Sequence, residues 1–179
     1  MCSYEIEAKY AIQDIDRYRK QLKDLKASYI RTVKEKDIYF QHPCRNFHET
    51  DEALRVRIED HRCLLTYKGA REKTFPKKRI ELNVKVGEPQ GIIEILKALG
   101  FRVIATLEKR REMYVVGNWE ISLDYVRNLG YFIELEFKGK KFSRSSLREI
   151  IKKLGIEEEK YIHESYLELY LKTLKDYHS

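Results

Sequence analysis

The sequence predicts an α+β fold built on a closed eight-stranded antiparallel β-barrel, a tunnel with helices packed outside it. Two observations indicate this fold. Runs rich in β-branched and aromatic residues recur along the chain, and in several of them charged residues alternate with apolar ones. Because alternate side chains of a strand share a face, each such run has one charged face. Charged faces are best satisfied when the sheet closes, since closure removes the edges and leaves a lumen.

Four helices are predicted from apolar residues that recur every three or four positions among charged ones. We expect them over residues 12–25, 89–99, 143–154 and 163–177. Pro89 suits a first helical turn, and Gly100 and Gly155 suit helix ends. Ser143 and Ser165 are expected to serve helix starts. The last helix is expected to pack on the outside of the sheet.

Eight strands are predicted between these helices, over residues 3–10, 29–40, 53–60, 62–68, 78–86, 101–116, 118–126 and 131–139. Turn residues at 117–118 and 128–130 are expected to join the last three strands into a meander. Each half of the chain repeats the order strand, helix, three strands. No linker rich in Pro, Gly or Ser divides the chain, so a single domain over residues 1–179 is predicted.

Composition limits the class of protein. The 179 residues include 36 Lys and Arg against 29 Asp and Glu, and the net charge of +7 favours anionic partners. The three cysteines form no CxxC pair and are odd in number, so the sequence suggests neither a disulfide framework nor a thiolate zinc site. No leader-like start and no run long enough to span a membrane is evident. We therefore expect a soluble cytoplasmic protein with no membrane partner.

Alternating carboxylates are the main candidates for metal ligands. Glu5 and Glu7 share a strand face with Lys9, and Glu134 and Glu136 alternate in the same way. Taken alone, such alternation is common on the solvent face of a sheet. Cations with the same alternation change that interpretation, because charges of both signs in one lumen need each other or a bound ion and anion. These cations are Lys9, Arg55, Arg57, Lys68, Arg79, Lys109 and Arg111.

Arg55 and Arg57 are the clearest candidates for phosphate recognition, because guanidinium groups bind phosphate oxygens bidentately. The alternative is a basic stripe that binds nucleic acid. Such surfaces interleave aromatic residues with basic ones on one face, whereas here the intervening residues are Leu, Val and Ile. We expect no nucleic-acid partner. A Gly-rich phosphate loop and an HExxH pattern are both absent from the sequence, so side chains must bind the phosphate.

An ordered series of motifs resembles the CYTH superfamily, also called the triphosphate tunnel metalloenzymes. The series runs EIEAKY, EKDIYFQHP, ALRVR, LTYKG, RIEL, LEKRREMY, ISLDYV, IELEFKG and HESYLELYL. It covers nearly the whole chain in the family's order. The segment from TLEKRREMY to YFIELE is especially similar to the class IV adenylyl cyclase branch. The resemblance implies a closed eight-stranded antiparallel barrel.

The resemblance also implies roles for individual residues. Two divalent ions, Mg²⁺ or Mn²⁺, would be held by Glu5, Glu7 and Glu134, with support from Glu136 and Asp124. The triphosphate would be bound by the cations Lys9, Arg55, Arg57, Lys68, Arg79, Lys109 and Arg111. Catalysis would be carried by Glu7, Asp124, Lys109 and Arg111. Arg79 and Glu81 match an R-x-E element, but Asn83 stands where many members have a further acid.

The predicted function is that of a metal-dependent enzyme acting on a triphosphate, a class IV adenylyl cyclase that converts ATP to cyclic AMP and pyrophosphate. A triphosphatase acting on thiamine triphosphate or inorganic tripolyphosphate is one alternative. A non-catalytic module that binds a triphosphorylated nucleotide or an RNA 5′ end is the other. The carboxylates argue against a purely phosphate-binding lumen. The sequence leaves open the base, the metal used and whether the chain forms a homodimer.

Overall fold

The computed structural model describes residues 2–60 and 62–176, without the side chains of residues 2, 3, 175 and 176. Its strands form one closed antiparallel barrel, which confirms the predicted fold class. They are β1 (Cys2–Ile12), β2 (Ser28–Gln41), β3 (Ala53–Glu59), β4 (Arg62–Lys68), β5 (Lys77–Val86), β6 (Arg102–Val116), β7 (Trp119–Val126) and β8 (Gly130–Phe137).

The order of strands around the barrel is β1-β5-β4-β3-β2-β6-β7-β8, and β8 pairs again with β1. The two halves of the chain, β1–β4 and β5–β8, meet at the β1–β5, β4–β5, β2–β6 and β1–β8 pairs. The predicted meander is confirmed, because β6, β7 and β8 are consecutive neighbours. Its turns contain Gly117, Asn128 and Gly130 at positive φ angles of 57°, 67° and 103°, a conformation that favours Gly and Asn.

The four predicted helices are present as α1 (Ile15–Asp24), α2 (Pro89–Ala98), α3 (Arg144–Lys153) and α4 (Tyr166–Asp176). Ile12 belongs to β1 and not to the first helix. Ser143 caps α3 by accepting a hydrogen bond from the Ser146 amide, and Ser165 accepts one from the Glu168 amide at the start of α4. The predicted last residue of the fourth helix, Tyr177, lies outside the described residues.

Three helices cover the outer face of the barrel. α1 and α3 bury Leu22, Leu147 and Ile151 against outward-facing residues of β1, β7 and β8. α2 buries Ile93 and Leu96 against β2, β3 and β4. The apolar positions of these strands therefore point outwards into two cores, and the charged positions between them point inwards. None of the helices in the described part of the chain is long and apolar enough to cross a membrane.

The fourth helix departs from the expected packing on the outer face of the sheet. α4 packs Tyr166 with residues that share strand faces with the charged lumen, namely Tyr39, Ala105, Leu107, Val126 and Phe132. These inward positions are apolar at this end of the barrel, so only an apolar helix face can cover them without leaving charges unpaired. α4 therefore closes one end of the tunnel.

Candidate active site

The lumen contains a cavity of about 200 Å³ whose lining is mostly charged. All the predicted site residues except Asp124 line it, namely Glu5, Glu7, Lys9, Arg55, Arg57, Lys68, Arg79, Lys109, Arg111, Glu134 and Glu136. These residues converge because side chains alternate between the two faces of a strand, and each of them occupies an inward position on its own strand. Among the described cavities, this one brings the predicted metal-binding and phosphate-binding side chains together.

A row of three carboxylates crosses neighbouring strands at one level of the lumen. Glu7 on β1 is directly opposite Glu136 on β8, and Glu136 is directly opposite Glu120 on β7. Like charges in directly opposed positions are destabilising. Burial raises the pKa of Glu136 to about 7 even though the Lys138 Nζ lies 2.5 Å from its Oε1. The Lys77 Nζ lies 3.6 Å from the Glu7 Oε1, beyond hydrogen-bonding distance.

Glu5 lies next to this row and is paired with cations. Both of its carboxylate oxygens accept hydrogen bonds from the Lys68 Nζ at 2.6 Å, and the Arg79 Nε donates at 3.2 Å. Burial opposes ionisation, but the Lys68 ammonium brings the pKa of Glu5 below its usual value. Lys68 also lies 2.7 Å from Glu81. At position 83, where many family members have a further acid, Asn83 donates a hydrogen bond to Glu81 at 2.5 Å and so positions that carboxylate.

The opposite wall contains two carboxylates that sequence reasoning missed, Glu35 and Asp37 on β2. Arg57 donates to both oxygens of Asp37 at 2.6 and 2.7 Å, and Arg55 donates at 3.3 Å. Despite burial, the two guanidinium groups hold the pKa of Asp37 far below its usual range. Glu35 lies 3.0 Å from both Lys109 and Arg57, and these cations lower its pKa to about 2 against the effect of burial. The predicted phosphate-binding arginines are therefore held in place by carboxylates.

Arg111 is the centre of a second buried network. It donates to both oxygens of Asp124 at 2.7 and 2.5 Å, and to Glu134. The Tyr166 hydroxyl donates to the same Asp124 at 2.8 Å. Asp124 is fully buried and does not line the cavity, so here it orients Arg111. Its role in metal binding and catalysis stays a prediction.

Lys9 lies at the closed end of the cavity, beneath α4. Its side chain is 1% exposed, and its Nζ is 4.1 Å from the centre of the Tyr166 ring. The Lys109 Nζ lies 5.3 Å from the same ring. Burial, and then repulsion from Lys77, lowers the pKa of Lys9 to about 7. Tyr166 therefore covers Lys9 and Lys109 and separates them from α4's apolar contacts.

The comparison with family models decides the classification. The CYTH domain model matches residues 3–166. The chain belongs to the CYTH family. It is 39% identical over 170 residues to a putative adenylate cyclase, MJ0240, from Methanocaldococcus jannaschii, an alignment that covers 92% of this chain and 97% of that one. It is 26% identical over 135 residues to the adenylate cyclase CyaB of Aeromonas hydrophila, which covers 74% of this chain and 68% of CyaB.

Solved CYTH-like structures confirm the barrel. The PH1819 protein of Pyrococcus horikoshii OT3 superposes with a TM-score of 0.84 at 36% identity, over 94% of this chain and 99% of that one. A putative adenylyl cyclase from Hippeastrum, described as having a dominant triphosphatase activity, superposes with a TM-score of 0.71 over 95% of each chain. Since that protein is only 16% identical, the similarity shows the fold alone.

The side chains of this CYTH lumen suit a divalent ion. Carboxylate oxygens are the ligands that Mg²⁺ and Mn²⁺ prefer, and a cation would offset the repulsion along the row of Glu7, Glu136 and Glu120. Glu5 and Glu134 flank that row on the same strands. Across residues 2–60 and 62–176, no three His, Cys, Asp or Glu side chains are gathered closely enough to enclose an ion. The donor set fits the metal, and the ligand assignment stays a prediction.

Sequence reasoning overlooked four residues that line the lumen or contact its side chains, namely Glu35, Asp37, Glu120 and Tyr166. Glu35 and Asp37 lie in the run Lys34–Asp37, which is charged on both faces and so shows no alternation with apolar residues. Glu120 lies close to the turn between β6 and β7 and shares a face with Ser122 and Asp124. Counting alternate positions back from Asp124 would have found it. Tyr166 was grouped with the apolar stripe of the last helix.

Proposed function

We propose that this CYTH protein is a divalent-metal-dependent enzyme that acts on a triphosphate, and that it is an adenylyl cyclase that converts ATP to cyclic AMP and pyrophosphate. The observation that carries the proposal is the division of the lumen into a wall of cations and a row of opposed carboxylates. Such a site suits a polyanion held together with cations. The names of the relatives in Methanocaldococcus jannaschii and Aeromonas hydrophila support the cyclase.

The cations are arranged to bind a chain of phosphates. Arg55, Arg57, Lys109 and Arg111 line the cavity from β3 and β6. Their carboxylate partners fix the guanidinium planes before substrate arrives, which reduces the entropy lost when phosphate oxygens bind. Positive charge fixed in a cavity with little water also stabilises charge that develops in a transition state.

In the proposed cyclisation the ribose 3′ oxygen forms a bond to the α-phosphorus, and the bond from that phosphorus to the bridging oxygen breaks. Glu5, Glu7, Glu134 and Glu136 would hold divalent ions, whose charge would neutralise phosphate oxygens and favour loss of the 3′-hydroxyl proton to solvent water. Lys109 and Arg111 would stabilise the negative charge on the departing pyrophosphate. Lys9, at the closed end, would bind the terminal phosphate of the chain.

The triphosphatase is the second candidate, because the cations that line the cavity would recognise phosphate groups and their binding requires no nucleoside. In that case water attacks the terminal phosphorus, and inorganic tripolyphosphate or thiamine triphosphate would serve as substrate. The same residues would bind the phosphates in both reactions. The two candidates therefore differ in products and not in the lining of the site.

Product analysis tests the proposal. The protein is incubated with Mg²⁺ or Mn²⁺ and, separately, ATP, tripolyphosphate and thiamine triphosphate, and the products are resolved by chromatography. We expect equal amounts of cyclic AMP and pyrophosphate from ATP. Orthophosphate as the main product would support the triphosphatase, and binding without turnover would support a non-catalytic module. Glu149→Gln, on the exposed surface of α3, serves as the matched control for charge-removing variants of lumen glutamates.

A further inference from the structure

The cavity has one closed end and one open end, and this restricts how a nucleotide can enter. Tyr166 and the apolar residues around it close the end next to Lys9. The opposite end is lined by Arg31 and Lys138, which are partly exposed and exposed, and by the buried Glu59. A nucleoside is bulkier than a phosphate chain. The closed end therefore suits the terminal phosphate, and the nucleoside belongs at or near the open end.

Two apolar side chains stand out in the lining of the open end, Leu64 on β4 and Met113 on β6. The other apolar lining residues, Tyr39, Ala53 and Tyr166, lie near α4, where Tyr39 and Tyr166 share a core and Ala53 lines a cleft beside the helix. β4 and β6 are three strands apart in the ring of eight, so Leu64 and Met113 approach the lumen from opposing sides.

The order of residues along these strands places the apolar pair beyond the cations. On β6 the inward residues run Lys109, Arg111, Met113 from the closed end outwards, and on β4 they run from Lys68 to Leu64. Each step of two residues advances about 7 Å along a strand. Met113 therefore lies about 7 Å and Leu64 about 13 Å beyond the nearest inward cation of its own strand.

We propose that Leu64 and Met113 form the base-binding subsite, in which the flat purine of a nucleoside triphosphate lies between their side chains while its phosphates extend towards Lys9. The site rests on the proposed function in one respect, since it requires a nucleotide and not an inorganic polyphosphate as the ligand. Flexible, polarisable Met and branched Leu provide apolar contact on both faces of a purine. Arg31 and Glu59, which are paired with each other, lie at the same end.

The test compares two ligands by isothermal titration calorimetry in the presence of Mn²⁺. The probes are α,β-methylene ATP, which cannot be cyclised, and inorganic tripolyphosphate, which has no base. In the double variant Leu64→Ala, Met113→Ala we expect about tenfold weaker binding of the nucleotide and a change within about twofold for tripolyphosphate. Both side chains are only half-buried, and thermal unfolding of the variant verifies the fold.

Two single variants serve as controls. Val84→Ala removes an equally apolar side chain from the outer face of β5 and should change neither affinity. His48→Ala alters the cleft beside α4 and should also change neither. Equal losses for the two ligands in the double variant, or no loss for either, would overturn the subsite. Weaker nucleotide binding in His48→Ala alone would place the base at the α4 end and overturn it as well.

The outcome for the subsite can be separated from the outcome for the cyclase. If the nucleotide loses affinity in the double variant but the native protein forms no cyclic AMP from ATP, the subsite stands and the proposed cyclase fails. If cyclic AMP is formed and the double variant binds the nucleotide as tightly as the native protein, the cyclase stands and the subsite fails.

Discussion

The two walls of the lumen place their carboxylates in different surroundings. On the β2–β3 wall, Glu35 and Asp37 are each within reach of an arginine or lysine, and their pKa values are lowered. On the β1–β8–β7 wall, Glu7, Glu136 and Glu120 are opposite one another. Strand register contributes to the difference. It places Arg57 across from Asp37, and it places Lys109 and Glu59 across from Glu35, whereas it places Glu136 across from both Glu7 and Glu120.

This difference separates structural from functional charge. In a buried ion pair with good geometry, each charge is compensated by the other, so the pair needs no bound ligand. Opposed carboxylates cost stability unless a cation or a proton intervenes. Burial is the main cause of the raised pKa of Glu136, and the nearby carboxylates of Glu5 and Glu120 add to it. We therefore interpret the β2–β3 wall as the rigid support of the arginines predicted to bind phosphate, and the β1–β8–β7 wall as the side predicted to bind metal.

The largest effect on activity is expected from the wall of opposed carboxylates, β1–β8–β7. Glu7→Gln should lower turnover of the triphosphate by about 100-fold or more, because it removes a metal ligand at nearly constant volume. Glu134→Gln should behave in the same way. Rates are measured across Mn²⁺ concentrations, with Glu149→Gln as the control on the outer surface. Full activity of Glu7→Gln at limiting metal would contradict the assignment.

Substitutions in the β2–β3 wall should lower the stability of the fold. Asp37→Asn leaves the buried guanidinium groups of Arg55 and Arg57 without their counter-charge, so we expect the free energy of unfolding to fall by about 3–5 kcal/mol. Urea unfolding measures the change. The matched variant Glu7→Gln should cost far less, since Glu7 makes no hydrogen bond to Lys77 at 3.6 Å. Equal losses of stability in the two variants would remove the distinction between the walls.

Sequence periodicity predicted which residues face the lumen, because strand parity depends only on local spacing. Glu5, Glu7 and Lys9 were placed correctly for this reason. It could not predict which acids meet which cations, since the β1–β8 and β2–β6 registers follow from closing residues far apart in sequence. The closure of one end of the tunnel by α4 was not predicted, for a related reason. An apolar stripe on α4 fits either an outer face or a barrel end, and only the apolar inward residues at that end decide between them.

A smaller effect is expected for the contribution of Arg57 to ligand binding. Arg57 belongs to the β2–β3 wall and also lines the cavity. Arg57→Ala should weaken binding of the triphosphate by about 2–4 kcal/mol, because a charge-assisted contact is lost, while binding of adenosine should hardly change. Calorimetric titration with tripolyphosphate and with adenosine measures both. If the two ligands lose affinity equally, the role of Arg57 is structural.

The smallest effects are opposite pH dependences of stability. Glu136 has a pKa of about 7 in the folded protein against 4.5 for an ordinary glutamate, so its folded form binds an extra proton between these values. Its contribution to the free energy of unfolding therefore falls as pH rises from 4.5 to 7. Glu35, with a folded pKa of about 2, contributes stability above pH 4.5 that is lost as pH falls towards 2.

Urea unfolding at a series of pH values measures these slopes. Glu136→Gln should remove a loss of stability between pH 4.5 and 7, and Glu35→Gln should remove a loss below pH 4.5. If the two variants change the pH profile in the same direction over the same range, the carboxylates of the two walls are not in different electrostatic environments.

Calorimetric titration of Mn²⁺ into the protein tests the central claim, that the opposed carboxylates of β1 and β8 hold the metal. The native protein should bind Mn²⁺, and so should Glu35→Gln, a variant in the β2–β3 wall. Glu7→Gln and Glu136→Gln should bind Mn²⁺ at least about tenfold more weakly. Thermal unfolding of each variant verifies that it is folded at the temperature of the titration. Native affinity in both β1–β8 variants, together with loss of binding in Glu35→Gln, would contradict the account.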